Sequence, residues 1–162
     1  MTHDRLLALA AVLSGAWLVG GCAADAVPPP TTAIAPAPAS PGGLTGTSWR
    51  LVEVQSMDDA QGTSKVGERV YEIDFGADGR AALKLDCNRG GASYTVVPAS
   101  EPGAGSVTFG PAALTRAMCP PGSLDTKIAR DLQYVRGYRV AGDTLSLSLM
   151  ADGGIYVWKR VP

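Results

Sequence analysis

The chain has 162 residues, with 14 Lys and Arg against 15 Asp and Glu, a formal net charge of −1, and 46% hydrophobic residues. Setting aside an export segment and a tether leaves about 120 residues for one core, a size that folds without a metal. The cations are scattered among carboxylates, which excludes the clustered basic surface that nucleic-acid binding requires.

In chain order, the polar start Met1 to Arg5 is followed by an uncharged apolar run from Leu6 to Gly21. That run is shorter than the roughly 20 apolar residues that span a bilayer, and it ends in small residues. It predicts a cleaved export signal over residues 1–21. Val19-Gly20-Gly21-Cys22 resembles the bacterial lipobox, in which the cysteine receives diacylglycerol, although Gly20 is a little off the usual pattern. The resemblance implies lipidation of Cys22; the competing reading is an ordinary secretory signal with an incidental cysteine. Acyl chains gain about 0.8 kcal/mol per buried CH₂, so two or three of them hold a protein firmly to a membrane. Ala23, not Asp, follows the cysteine, and by the sorting rule for such lipoproteins this implies the outer membrane, facing the periplasm. Residues 22–43 are rich in Pro and Ala with no aromatic. They read as a tether of extended polyproline geometry, at about 3.1 Å per residue, with a proline-recognition ligand as the alternative.

From residue 44 to 162 strand signals dominate. In Val70-Tyr71-Glu72-Ile73-Asp74-Phe75 apolar residues alternate with acids, the period of a strand with one wet face. Gly76 to Gly79 supplies a turn, and Ala81, Leu83 and Leu85 alternate again, predicting a hairpin. Trp49–Val54, Tyr94–Val97, Val107–Phe109, Tyr138–Ala141, Leu145–Leu149 and Ile155–Val161 predict further short strands. One helix is expected: Ser123 as N-cap, Leu124, Ile128, Leu132 and Val135 at helical spacing, and Gly137 to end it. The expected fold is mainly β (α+β), a curled antiparallel sheet or partly open barrel of about eight strands with one helix. Trp49 and Trp158 are expected in its core, and a packed interior is the default for a small barrel.

With Cys22 assigned to the anchor, Cys87 and Cys119 remain, and an exported protein sits in an oxidising space, which predicts a disulfide. Closing that loop is worth about 3–4 kcal/mol in the chain-entropy model. A reactive thiol or a metal site are the alternatives, but the zinc shell is incomplete and CxxC is absent. The only histidine, His3, lies in the segment that cleavage discards. Triad and Cys-His catalysis and His-metal ligation are therefore not expected, nor is a cofactor. Glu72 and Asp74 are the residual acid/base candidate; outward acids alternating with apolar residues read first as a solvated face.

Leu44-Thr-Gly46-Thr-Ser-Trp49-Arg-Leu51, Asp78-Gly79-Arg80, Cys87-Asn88-Arg89, Phe109-Gly110, Thr115-Arg116-Ala117-Met118-Cys119 and Gly142-Asp143-Thr144-Leu145 occur in that order. Together they resemble the META domain, the family of HslJ-like heat-shock lipoproteins. Two departures stand out: Asp86 where the family often has Gly, and Asp125-Thr126 where its helix often starts with Glu near Leu. The resemblance implies a compact antiparallel barrel-like domain with a helix in an envelope protein linked to heat shock and drug tolerance, and it supplies no active site.

Asn88 reads as a turn residue and Gly91 as a backbone-angle residue. Arg89 and Arg116 stand beside the two cysteines. A disulfide would draw them, with Asn88, into a small cationic patch able to bind an anion or a partner's carboxylates. The expected function is a non-catalytic, stress-related envelope lipoprotein that binds or supports another envelope protein or a small ligand. The alternative is a periplasmic inhibitor of a hydrolase, presenting Ser56 to Glu68 or Ala99 to Ser106 to its target.

Overall fold

A computed structural model describes residues 43–57 and 62–162. The expected export signal, Cys22 and almost all of the tether lie outside the described residues. Alternation sets the wall of the domain. Strand β1 (Thr47–Gln55) buries Thr47, Trp49 and Leu51; β3 (Tyr71–Phe75) buries Tyr71, Ile73 and Phe75; β4 (Arg80–Leu85) buries Ala81, Leu83 and Leu85. The hairpin expected between β3 and β4 forms with Tyr71 opposite Leu85 and Phe75 opposite Ala81. Gly79 adopts a positive φ in its turn, which glycine does without steric penalty.

The chain continues through β5 (Asn88–Pro98), β6 (Ala104–Phe109), β8 (Val135–Ala141), β9 (Thr144–Leu149) and β10 (Ile155–Val161), each antiparallel to the next. Strand β10 then pairs along β1, from Ser48 opposite Val161 to Gln55 opposite Ile155, and this ladder closes an eight-stranded barrel. Closure removes the sheet edges, and at eight strands the interior is about wide enough for side chains to fill. Trp49, Trp158, Tyr71 and Phe75 are among the largest fully buried groups, as expected for the two tryptophans. Phe75 meets Tyr94 edge to face with ring centroids 5.0 Å apart. Two strands lie off the barrel: β2 (Thr63–Lys65) on β1, and the two-residue β7 (Ala113–Leu114) on β5.

The helix is shorter than its periodicity predicts. Helix α1 spans Asp125–Asp131 with Leu124, not Ser123, at its N-cap, and Leu132–Tyr134 tightens into a 3-10 turn. Val135 is already extended and opens β8, in which Gly137 pairs with Ser106 and Ser148. Tertiary pairing takes Val135 and Gly137 into the barrel, although Val135 continues the helical spacing and Gly137 offers a C-terminal stop. Ser123 still contributes, its Oγ accepting the Asp125 N–H at 3.4 Å.

Asn88 is not a turn residue. The β4–β5 turn is made by Asp86 and Cys87, with Asp86 at φ 57°, while Asn88 opens β5. Asp tolerates this left-handed conformation better than most residues, and the Asp86 carboxylate pairs with Arg69 at 2.7 Å. The departure from the family's usual glycine therefore falls on a position with a backbone requirement. The segments expected as exposed loops are partly strand: Ser56 to Glu68 contains β2, and Ala99 to Ser106 contains the start of β6.

Candidate functional site: a strap, a helix and the groove between them

Beyond β6 the chain runs from Gly110 to Leu124 as a strap that crosses back over the start of β5 before entering α1. One glycine makes that crossing possible: a Cβ on Gly90 would stand 1.8 Å from the Ala113 carbonyl oxygen. Gly91 instead lets β5 approach β4, where a Cβ would stand 2.8 Å from the Ala81 oxygen. Both glycines serve close approach, and neither adopts a positive φ.

Cys87 and Cys119 form a disulfide across a separation of 32 residues, with Cα atoms 5.5 Å apart. Beside it the Asn88 side chain, 3% exposed, serves as a hub. Its Oδ1 accepts the Ala117 N–H at 2.8 Å and the Thr115 hydroxyl at 2.9 Å. Its Nδ2 donates to the Ala117 carbonyl at 3.1 Å and to Asp125 Oδ2 at 2.9 Å, and lies 3.3 Å from Cys119 Sγ. One buried amide thus binds strap, disulfide and helix start, and a buried amide with all its groups engaged fixes its partners in place.

Helix α1 is held at both ends. The Tyr71 hydroxyl of β3 accepts the Leu124 N–H at 2.8 Å. At the far end, buried Asp131 accepts from the Tyr156 hydroxyl at 2.7 Å, Lys127 Nζ at 2.5 Å and Arg130 Nε at 3.0 Å. Burial alone would raise the Asp131 pKa, but these bonds to the ionised form bring it below the ordinary value. Burial and the Asp131 carboxylate push the Tyr156 phenol up, so it stays protonated as a donor.

Between strap and helix lies a groove of about 760 Å³, lined on the strap side by residues 112–117 and on the helix side by Asp125, Thr126, Ala129 and Arg130, with Asn88 also in its lining. Its charged groups are Arg116, Arg130 and Asp125. Desolvation acts to raise the Asp125 pKa, and hydrogen bonds from Asn88, Thr126 and Ser123 outweigh it, leaving the carboxyl ionised below its ordinary range. Among the described residues, no ion pair or side-chain hydrogen bond engages the Arg116 guanidinium.

Of the expected cationic pair, the structure places Arg116 in the groove and leaves Arg89 exposed on β5, outside its lining. The Arg89 backbone is bound to the strap, its N–H donating to Thr115 Oγ1 at 3.0 Å and its carbonyl accepting the Thr115 N–H at 2.9 Å. The second groove cation is Arg130, which sequence reading missed. Thr126, Ala129 and Arg130 stand three and four positions apart, one face of the helix, and that spacing was the available signal.

Glu72 and Asp74 share the outward side of β3. Glu72 is bracketed by Arg50 at 2.6 Å and Lys84 at 3.2 Å. The Arg50 hydrogen bond is the largest influence holding its carboxyl below the ordinary range. Such a group is a solvated ion-pair member, as its alternation indicates.

A solution structure of a protein from Burkholderia xenovorans is 23% identical, covering 82% of this chain and 96% of that one with a TM-score of 0.59. A crystal structure of a DUF4847-family protein from Bacteroides vulgatus is 11% identical, covering 72% of this chain and 93% of that one with a TM-score of 0.51. At these identities the likeness concerns the fold alone. No curated protein matches the chain. The family model described as META domain matches residues 42–160, which takes in the strap, the helix and all of the barrel but the last residue of β10, and the chain belongs to the META domain family.

Proposed function

We propose that this protein is a non-catalytic binding module of the bacterial envelope, tethered through lipid on Cys22 to the outer membrane and facing the periplasm, with a role under stress. The observation that carries the binding reading is the groove between strap and helix. Two arginines line it, one without a protein partner among the described residues, and its walls are fixed by a disulfide and a buried asparagine. A rigid concavity with convergent cations favours anionic groups, because Arg presents a planar fork of donors to carboxylates. A fixed site also spares the ordering entropy that a mobile one would lose on binding.

The tether is tested by metabolic labelling with a fatty acid: full-length protein is expected to incorporate label and Cys22→Ala to remain unlabelled. The binding face is tested in living cells with a photoreactive side chain at position 126. A discrete cross-linked product that disappears in the Arg116→Glu/Arg130→Glu double variant supports the reading. A product unchanged by reversing both charges sinks it.

A further inference from the structure

The strap does more than line the groove: its main chain offers an open edge. Thr115 donates its N–H to Arg89 and Ala117 donates to Asn88 Oδ1, so residues 115 and 117 face β5. Gly90 stands opposite Leu114 and Gly91 opposite Ala113 in the short β5–β7 ladder. In an antiparallel ladder the main-chain groups alternate between partner and outside. Leu114 and Arg116 therefore direct their N–H and C=O groups away from β5, toward the groove and the helix across it. An unpaired strand edge is a template for another strand, and extended peptides dock on such edges through main-chain hydrogen bonds while pockets read alternate side chains. The barrel proper has no edge, since β10 closes on β1.

We infer that the groove accepts an extended acidic peptide segment of a partner protein, which adds as a strand along Leu114 to Arg116 with its carboxylates on Arg116 and Arg130. This deepens the proposed function and rests on it. The charge complement selects the class of partner. Asp125 carries negative charge in the same lining, so the ligand's acids lie at the two arginines and its main chain lies beside Asp125. Alternate residues of an extended peptide fall on one side, so acids spaced two apart project together on the side that carries Arg116, and the residues between them project on the opposite side. The edge is short, with Pro111 before it and Pro120 and Pro121 after it, which limits the added strand to a few residues and keeps the edge from pairing indiscriminately.

The test uses full-length protein in detergent and three blocked hexapeptides of alternating Glu and Ala. One is unmodified; the other two carry N-methyl groups on the Glu residues or on the Ala residues, which removes main-chain donors on one side and keeps every carboxylate. Amide-resolved hydrogen exchange and affinity are read for all three. The expected result is protection of the Leu114 and Arg116 amides on binding, and an affinity about tenfold lower for the one N-methylated peptide that lacks the pairing donors, the equivalent of one or two main-chain hydrogen bonds. If all three peptides bind alike and the two amides stay unprotected, strand addition is overturned while the arginine groove stands. If none of the peptides binds, the acidic-strand ligand is overturned, and the partner-binding reading is then judged by the cellular cross-link at position 126.

Discussion

In the barrel wall every strand has two hydrogen-bonded neighbours and a row of buried side chains, whereas the strap from Gly110 to Leu124 has a two-residue strand, one disulfide and the Asn88 side chain. The wall is redundant: each inward residue packs among many others, and each ladder bond is one of several. The strap depends on single residues, because Gly90, Asn88 and the Cys87–Cys119 bridge each do something no neighbour repeats. A surface built this way is changed one residue at a time without disturbing the core beneath it.

The largest effect is expected from the wall. Trp49 is fully buried in β1 and its indole N–H donates to Thr47 at 2.6 Å. Trp49→Ala is expected to lower unfolding free energy by about 3–5 kcal/mol, read by chemical denaturation, with wall and strap lost in one transition. A loss under about 1 kcal/mol would break the comparison, since it would mean the wall does not depend on its core.

Replacing Cys87 and Cys119 by Ser comes next, at about 3–4 kcal/mol in the chain-entropy account of a loop of this length. Hydrogen exchange is expected to show residues 113–117 losing protection beyond that fall in global stability, while β3, β4, β9 and β10 lose no more than the fall itself. Equal loss across the wall would show that strap and wall are one cooperative unit.

Asn88→Ala is smaller, about 1–3 kcal/mol, because it leaves the Ala117 N–H, the Thr115 hydroxyl and one Asp125 oxygen without their partner. With the disulfide intact, backbone chemical shifts are expected to move in the strap and at the start of α1 and to stay fixed in β9 and β10. Shifts confined to Asn88 itself would mean that its side chain does not position the strap.

The same contrast governs what was legible in the sequence. Strands with a wet face and a dry face announced themselves, as in Tyr71 to Phe75, because period-2 alternation is the direct imprint of a buried side. The disulfide followed from compartment and cysteine count. The strap did not read, because its anchors act through backbone approach and one amide, and neither leaves a periodic trace. Asn88 looked like a turn former when its side chain was spent on residues roughly 30 positions away, and the true turn residue, Asp86, was noticed only as a departure. The expected helix runs too far because Val135 fits its period and Gly137 offers a stop, while barrel pairing claims both. Arg130 was passed over because a lone helix-surface arginine carries no signal until the strap is laid opposite it.

The smallest effect joins the two regions. Asp131 ties α1 to the wall through Tyr156, and its folded pKa is below its ordinary value of 3.8. A depressed carboxyl contributes stability that is fully present above the unfolded pKa and lost as pH falls through the folded one. Asp131→Asn keeps an acceptor for Tyr156 but removes the charge that Lys127 and Arg130 hold. It is expected to lower stability by about 1–2 kcal/mol at neutral pH. The difference from the native chain should shrink as pH drops below about 4 and vanish once Asp131 is protonated in both states. Glu72 and Asp125 are also depressed, so the variant keeps a shallower acid limb of its own. Denaturation curves at neutral and acid pH measure both slopes. A pH-independent difference would mean that Asp131 holds the helix by shape and hydrogen bonding alone, and that its charge contributes nothing to the join between helix and wall.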